Sequence, residues 1–213
     1  MRGRGAAAVI AVALAGGIAC RGAASSTAPR AAAAPVCPAG PVTVFGQGDV
    51  DRLAGCAAVA RLEVRTAAAL DLAPLASLAR IDGDLVIGPT LGLGTLQLPA
   101  LTAVGGTVRI AGNGDLAGIY LPRLATVGAL TITDDVALVQ ITAPALVEVA
   151  GDLTLDRTPT LELVDTSAGP QVAGDLTVSG APRLATWVGA VQVSGLVEVD
   201  APALAEPPTA AQP

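Results

Sequence analysis

The sequence predicts an all-β solenoid, in which short parallel strands stack coil upon coil. A strand-like segment recurs six times, and the ends of successive copies lie 23, 23, 22, 23 and 23 residues apart. A period in the twenties is typical of proteins whose repeats stack on their neighbours and bury one continuous core. The copies are Arg61-Leu62-Glu63-Val64, Asp84-Leu85-Val86-Ile87, Thr107-Val108-Arg109-Ile110, Ala129-Leu130-Thr131-Ile132, Asp152-Leu153-Thr154-Leu155 and Asp175-Leu176-Thr177-Val178.

The scarcity of aromatic residues supports the same fold class. Phe45, Tyr120 and Trp187 are the only aromatic residues of the chain. Because large rings supply much of the buried area in most globular cores, the interior here must be filled by Leu, Val, Ile and Ala. Layers of such similar aliphatic side chains suit a narrow coil.

Each predicted coil contains three short apolar segments separated by bends. In the coil that begins at Gly83, Leu85 and Ile87 point inward and Val86 points outward, because side chains alternate along a strand. Glycine and proline mark the bends, where a positive or a fixed φ is needed. The pattern predicts right-handed parallel coils of about 23 residues, three short sheets and little helix.

The two ends of the solenoid, predicted to span residues 37–204, carry their own signals. Cys37 and Cys56 lie just before the first clear coil, and in an oxidising compartment they are predicted to form a disulfide-linked cap worth about 3 kcal/mol. A metal site is the weaker alternative, since the chain has no histidine to join the two sulfurs.

At the other end, residues 196–199 are predicted as the closing edge strand. Trp187 is predicted to cover the last layer, with a ligand contact as the alternative.

The segments that flank the solenoid are predicted not to belong to the fold. Residues 1–19 carry two arginines, then an apolar stretch at 6–15 and small residues, which is the pattern of a secretory signal peptide. The apolar stretch is shorter than the roughly 20 residues that a membrane-spanning helix needs. Residues 20–36 are predicted to be an Ala/Ser/Pro linker, and residues 205–213 a similar disordered tail.

Cys20 stands at the predicted cleavage point. Residues 14–20, with the sequence LAGGIAC, resemble the lipobox of bacterial lipoproteins, although Gly17 stands where those signals prefer leucine. The resemblance implies that Cys20 is lipidated and that the protein is sorted to the outer membrane or cell surface. An ordinary signal peptide is the alternative; it would leave Cys20 unmodified and the protein periplasmic or secreted.

Two stretches carry a resemblance to a known family. Residues 98–106 (LPALTAVGG) and 121–128 (LPRLATVG) resemble the receptor L-domain family of leucine-rich-repeat-like solenoids, and the likeness covers about residues 37–204. The resemblance implies a solenoid that binds a ligand on its surface. It implies no catalytic residues, because the family shares none.

Composition excludes several functions. Without histidine and lysine, the chain cannot build a Ser-His-Asp triad, a His-containing metal site or a P-loop. The net charge of −6 argues against nucleic acid as a partner. We therefore expect no cofactor, no metal and no enzymatic activity. The alternative is a polysaccharide-acting enzyme that uses Asp134 and Asp135, with Asp156 one coil away, although Asp156 could equally form an ion pair with Arg157 at a bend.

The outward-facing residues carry the functional hypothesis. On the second sheet, Gln97, Tyr120, Gln140 and Glu162, together with Asp71, are predicted to line up as a recognition face for a protein or glycan, with Tyr120 as its anchor. The sequence thus favours an exported, monomeric, non-catalytic binding or structural module whose contact with the membrane is a lipid anchor. A lesser alternative is ice or surface binding by the threonine column of the first sheet: Thr131, Thr154 and Thr177.

Overall fold

The computed structural model describes residues 36–206 and 208–210, so the predicted signal peptide, Cys20 and all of the predicted linker except Val36 lie outside the described residues. Almost all of the regular structure is β. In chain order the elements are β1 (Pro41–Val44), α1 (Gln47–Asp51), β2 (Ala58–Val59), β3 (Arg61–Thr66), a 3-10 helix (Ala73–Ser77), β4 (Arg80–Ile81), β5 (Leu85–Thr90), β6 (Thr95–Gln97), β7 (Ala103–Ala111), β8 (Gly118–Tyr120), β9 (Thr126–Thr133), β10 (Gln140–Thr142), β11 (Glu148–Val149), β12 (Leu153–Asp156), β13 (Leu163–Asp165), β14 (Gln171–Val172), β15 (Leu176–Ser179), β16 (Thr186–Val188), β17 (Gln192–Val193), β18 (Val197–Val199) and β19 (Thr209–Ala210).

The strands stack in parallel ladders, which confirms the predicted solenoid of coils of about 23 residues. The six copies found in the sequence form the first ladder, through β3, β5, β7, β9, β12 and β15, and they pair in the predicted register. The residues at one level of this ladder are Val64, Ile87, Ile110, Ile132, Leu155 and Val178.

Three ladders are present, as predicted, but two of them join into one sheet. The second ladder contains β2, β4, β11, β14, β17 and the first halves of β7 and β9. Because β7 and β9 run unbroken through the corner, the first two ladders form a single 14-stranded sheet. The third ladder is a separate five-stranded sheet in the order β16-β13-β10-β8-β6.

Glycine makes this continuous corner geometrically possible. A Cβ at Gly105 would lie 2.2 Å from the carbonyl oxygen of Asp82 in the preceding coil, and one at Gly128 would lie 2.6 Å from that of Gly106. The chain at these positions has no room for a side chain between the backbones of stacked coils. The corners can therefore approach closely enough for β7 and β9 to stay hydrogen-bonded on both sides of the turn.

The core is one continuous column of aliphatic side chains. Leu85, Val108 and Leu176 are fully shielded from solvent, and the cluster extends from Val44 at one end to Ala201 at the other. Every other residue of the first ladder enters it, in keeping with the alternation of side chains along a strand. The prediction that small aliphatic residues fill the interior is confirmed.

A short helix and the disulfide close the N-terminal end. Cys37 and Cys56 are bonded, with their Cα atoms 5.6 Å apart, which confirms the predicted cap. The helix α1 buries Val50 against the first layer. The backbone N–H group of Phe45 donates to the Asp49 carboxylate, 2.8 Å away, and this bond lowers the pKa of Asp49. No helix within the described residues has the length and hydrophobicity needed to cross a membrane.

The C-terminal end is closed less completely. The strand β18 covers Val197–Val199 of the predicted edge strand at 196–199, and within the described residues it pairs with β15 alone. Trp187 occupies the last inward position of the third ladder, is half-buried, and donates its indole N–H to Thr166 Oγ1 at 3.0 Å. The strand β19 pairs with β17, so this part of the predicted tail joins the second ladder.

Gly105→Ala should destabilise the fold by about 3 kcal/mol, because the new methyl group would collide with a backbone carbonyl that cannot rotate away. Gly94→Ala is the matched control, since no atom lies within 4 Å of a Cβ at that position. Urea unfolding of the two variants measures the difference. Equal stability of the two variants would mean that the corner does not require glycine.

Candidate functional site

Two of the predicted recognition residues lie side by side on the outward face of the five-stranded sheet. Gln97 in β6 and Tyr120 in β8 are at the same level of the ladder. The Gln97 side chain is exposed and that of Tyr120 is half-buried. The two side chains are therefore neighbours on one face of the sheet, and their part in recognition stays a prediction.

The other residues of the predicted column occupy different levels. Gln140 pairs with Gly118, whereas the residue level with Tyr120 in the next coil is Thr142. Glu162 is exposed directly before β13, and Asp71 lies outside any strand. The predicted alignment is thus wrong for all three. The chain reaches the level of Tyr120 two residues later than the pattern suggests, at Thr142 and not at Gln140. The residue level with Gln140 is Leu163 and not Glu162, and the coil of Asp71 has no strand in this sheet.

The displaced register gives Gln140 a different part in the site. Its side-chain amide donates a hydrogen bond to the Tyr120 hydroxyl, with Nε2 and Oη 2.7 Å apart. The tyrosine ring lies back over Gly118, where a Cβ would be 2.6 Å from the ring atom Cε2. The absence of a side chain at position 118 leaves room for the ring, and the bond from Gln140 fixes its hydroxyl end.

A cleft opens beside Gln97. It has a volume of about 320 Å³ and lies between β6 and the preceding coil. That coil carries the 3-10 helix Ala73–Ser77 where the next five coils carry a strand of this sheet. The volume is at the lower end of the range for ligand-binding clefts. Its lining residues are Leu70, Asp71, Leu72, Ala73, Ala76, Thr95, Gln97 and Pro99.

The carboxylates considered for catalysis lie at a corner that follows the first ladder. Asp134 is exposed and forms an ion pair with Arg157 of the next coil, with Oδ2 2.7 Å from Nη2. Arg157 also contacts Asp156, so the ion pair at a bend considered for Asp156 is present. The hydrogen bond from Arg157 lowers the pKa of Asp134. Asp135 points into the core instead and is fully buried.

The ion pair joins two residues with unusual backbone conformations. Asp134 and Arg157 have φ values of 59° and 51°, and Gly112 and Gly180 adopt the same left-handed conformation at neighbouring corners. Such a conformation is unfavourable for residues other than glycine. The two non-glycine residues thus lie at stacked positions and are joined through their side chains.

A buried polar column runs inside this corner, and the sequence did not reveal it. The column consists of Thr66, Thr90, Asn113, Asp135 and Thr158, all of which are buried. The Thr90 hydroxyl donates to Asn113 Oδ1 at 2.7 Å, and the Asn113 backbone N–H and side-chain amide both donate to Asp135 Oδ1, at 2.8 and 2.9 Å. The signal was a polar residue three positions before an inward leucine in successive coils: Asn113, Asp135 and Thr158 precede Leu116, Leu138 and Leu161.

Two oxygen atoms of this column lack hydrogen-bond partners within the described residues: Asp135 Oδ2 and Thr158 Oγ1. Burial raises the pKa of Asp135 to about 6, although the hydrogen bonds from Asn113 act in the opposite direction and the charge of Asp134 adds to the rise. An ionised carboxylate at this position is therefore a destabilising feature of the fold.

The predicted threonine column of the first ladder is aligned. Thr131, Thr154 and Thr177 pair at one level of β9, β12 and β15, and all three are half-buried. Arg109 precedes them at this level and Glu198 follows them. Ice or surface binding by these three residues stays a prediction.

Comparison of this chain with protein-family models, curated proteins and solved structures finds no match. The resemblance to the receptor L-domain family therefore stays a prediction from the sequence. Within residues 36–206 and 208–210, no group of three or more His, Cys, Asp or Glu side chains is placed to hold a metal ion.

Asp135→Asn should remove a pH dependence of stability. Because the pKa of Asp135 in the folded protein, about 6, lies above its usual value of 3.8, the neutral carboxyl stabilises the fold below about pH 4 and this effect is lost as the pH rises through about 6. At pH 8 the variant should be more stable by about 2 kcal/mol.

Thermal unfolding of both proteins between pH 4 and pH 8 measures this difference. The asparagine keeps an acceptor for Asn113, so the two proteins differ mainly in the charge and the partnerless oxygen. A constant difference in stability across this range would contradict the assignment of the titration to Asp135.

Thr158→Val and Thr90→Val should have opposite effects. The Thr158 hydroxyl is buried without a partner, so a methyl group in its place should stabilise the fold by about 1 kcal/mol. The Thr90 hydroxyl donates to Asn113, so the same substitution there should destabilise it by about 1 kcal/mol or more. Urea unfolding at one pH compares the pair, and destabilisation by both would mean that Thr158 has a partner, such as a buried water.

Proposed function

We propose that this protein is an exported bacterial envelope module that captures a protein or glycan on the outward face of its five-stranded sheet and is not an enzyme. The observation that carries the proposal is the arrangement of Tyr120, Gln140 and Gln97 beside an open cleft. A half-exposed tyrosine on a rigid sheet is a favoured contact residue in recognition surfaces.

The order of this surface supports a role in binding. The Tyr120 ring lies over Gly118 and its hydroxyl accepts a hydrogen bond from Gln140. A partner would therefore not have to immobilise the ring, and less conformational entropy would be lost on binding. The neighbouring Gln97 is exposed and offers both a donor and an acceptor at the rim of the cleft.

The position of the acidic residues supports a non-catalytic role. A glycoside-cleaving pair needs two carboxyl groups that face the same bound sugar. Asp135 is buried in the polar column, and Asp134 is held by Arg157. The alternative of a polysaccharide-acting enzyme built on these two residues stays a prediction.

Export and anchoring rest on the sequence and on the cap. The signal-peptide pattern of residues 1–19 and the lipobox-like residues before Cys20 favour an outer-membrane or cell-surface lipoprotein. The bond between Cys37 and Cys56 supports an oxidising compartment. The linker at 20–36 would then hold the solenoid away from the lipid surface.

Tyr120→Ala should weaken capture of a partner by about 30-fold, the loss typical of a central contact residue. The measurement is the amount of each envelope component retained by the immobilised protein. Tyr120→Phe, which keeps the ring but loses the bond from Gln140, should retain most of the capture.

Phe45→Ala is the control, because Phe45 is an exposed aromatic residue that directly follows β1, a strand of the first ladder. Melting temperatures of all variants establish that the fold is intact. Undiminished capture by a folded Tyr120→Ala protein would place recognition on another surface.

A further inference from the structure

The strand β6 is a free edge of the five-stranded sheet. It is the last strand in the order of that sheet, and among the described residues β8 is its one neighbouring strand. The backbone N–H of Leu98 donates to the carbonyl of Tyr120, and the N–H of Ala117 donates to that of Gly94. Since alternate residues of a strand direct their backbone groups to opposite sides, those of Thr95 and Gln97 point away from β8. Within the described residues they form no hydrogen bond to the preceding coil.

The preceding coil is held in a position where it cannot cover this edge. Gln47 of helix α1 donates to the carbonyl of Asp71 at 3.0 Å and accepts from its N–H at 2.8 Å. The backbone groups of Asp71 that could pair with a strand are thus already used. The next residues form the 3-10 helix Ala73–Ser77, which is not extended. The gap between this 3-10 helix and β6 is the cleft beside Gln97.

The chemistry of the cleft indicates what would fill it. Its lining is part apolar, from residues such as Leu70 and Ala76, and part polar. The Asp71 carboxylate accepts a hydrogen bond from the Ala73 backbone N–H at 2.9 Å and is not matched by a cation among the lining residues. The edge itself offers two N–H groups and two carbonyl groups in the spacing of a β-strand. An extended peptide with a basic side chain satisfies all three features.

We propose that β6 binds an extended segment of a partner protein as an additional strand, with a basic side chain of that segment facing Asp71. The inference rests on the proposed function and specifies its mode, since Gln97 belongs both to this edge and to the recognition face. Addition of a strand to an exposed sheet edge is an established mode of peptide recognition. Natural proteins usually protect such edges, and here the cap keeps the edge open.

Amide hydrogen exchange followed by NMR tests this inference. In the free protein, the amides of Thr95 and Gln97 should exchange much faster than that of Leu98. The peptide Ac-Thr-Val-Arg-Val-Thr-NH2 should slow exchange at Thr95 and Gln97 by about tenfold or more at saturation. The same peptide with N-methyl groups on its three central residues should have no such effect, because it cannot donate the backbone hydrogen bonds.

A pair of variants locates the binding. Ala76→Phe fills the cleft and should abolish protection by the peptide. Ala185→Phe adds the same group at an exposed position before β16, at the far end of the sheet, and should leave protection unchanged. Melting temperatures show that both variants fold.

Four outcomes would overturn the inference. The first is slow exchange of Thr95 and Gln97 in the free protein, and the second is equal protection by the N-methylated peptide. The third is protection that rises with protein concentration alone, which would assign the edge to a second copy of this chain. Capture that needs Tyr120 but is competed by soluble oligosaccharide and not by the peptide would also overturn it, while leaving the proposed recognition face in place.

Discussion

The stacking of coils in register is the constraint on which the rest of this structure depends. A single coil of about 23 residues buries too few aliphatic side chains to offset the entropy lost on ordering it. Each layer is therefore completed by the layers above and below, through parallel backbone hydrogen bonds and contacts such as those among Leu85, Val108 and Leu130. Every position in a coil consequently faces the same position in its neighbours.

Because coils stack in register, a residue in an unfavourable conformation or a buried polar residue lies next to the equivalent residue of the adjacent coil and can interact with it. Asp134 and Arg157 share a left-handed corner that is glycine in adjacent coils, and their side chains pair across the two coils. Inside the same corner, the Asn113 side chain accepts a hydrogen bond from Thr90 and donates one to Asp135. Polar groups are tolerated in the interior where the next coil supplies a partner. Asp135 Oδ2 and Thr158 Oγ1 have no such partner within the described residues, so their hydrogen-bonding capacity is left unused in the interior.

The candidate site arises where the repeat is interrupted. Regular coils pair their backbones and leave only outward side chains for recognition. The coil before β6 departs from this pattern, because its 3-10 helix and the bonds between Gln47 and Asp71 fasten it to the cap. Its departure leaves one edge of β6 without a neighbouring strand and opens a cleft next to Gln97. An ordered aromatic ring, an open edge and an acidic rim therefore occur together at one place.

The solenoid and the inward residues of the first ladder can be predicted from the sequence, since strand alternation and a period near 23 leave one register for the six copies. The cap disulfide follows from the position of Cys37 and Cys56 just before the first coil. The sequence did not determine the register of the second sheet. Shifting a strand by two residues leaves each side chain on the same face of the sheet, so the hydrophobic pattern cannot distinguish the two registers. The pattern aligns Gln140 with Tyr120, whereas in the structure Gln140 lies level with Gly118. Nor did the sequence separate Asp134, at the surface, from Asp135, in the core. These points and the free edge of β6 emerge from the folded chain, because they depend on corner lengths and on contacts such as Gln47 with Asp71 that join distant parts of the sequence.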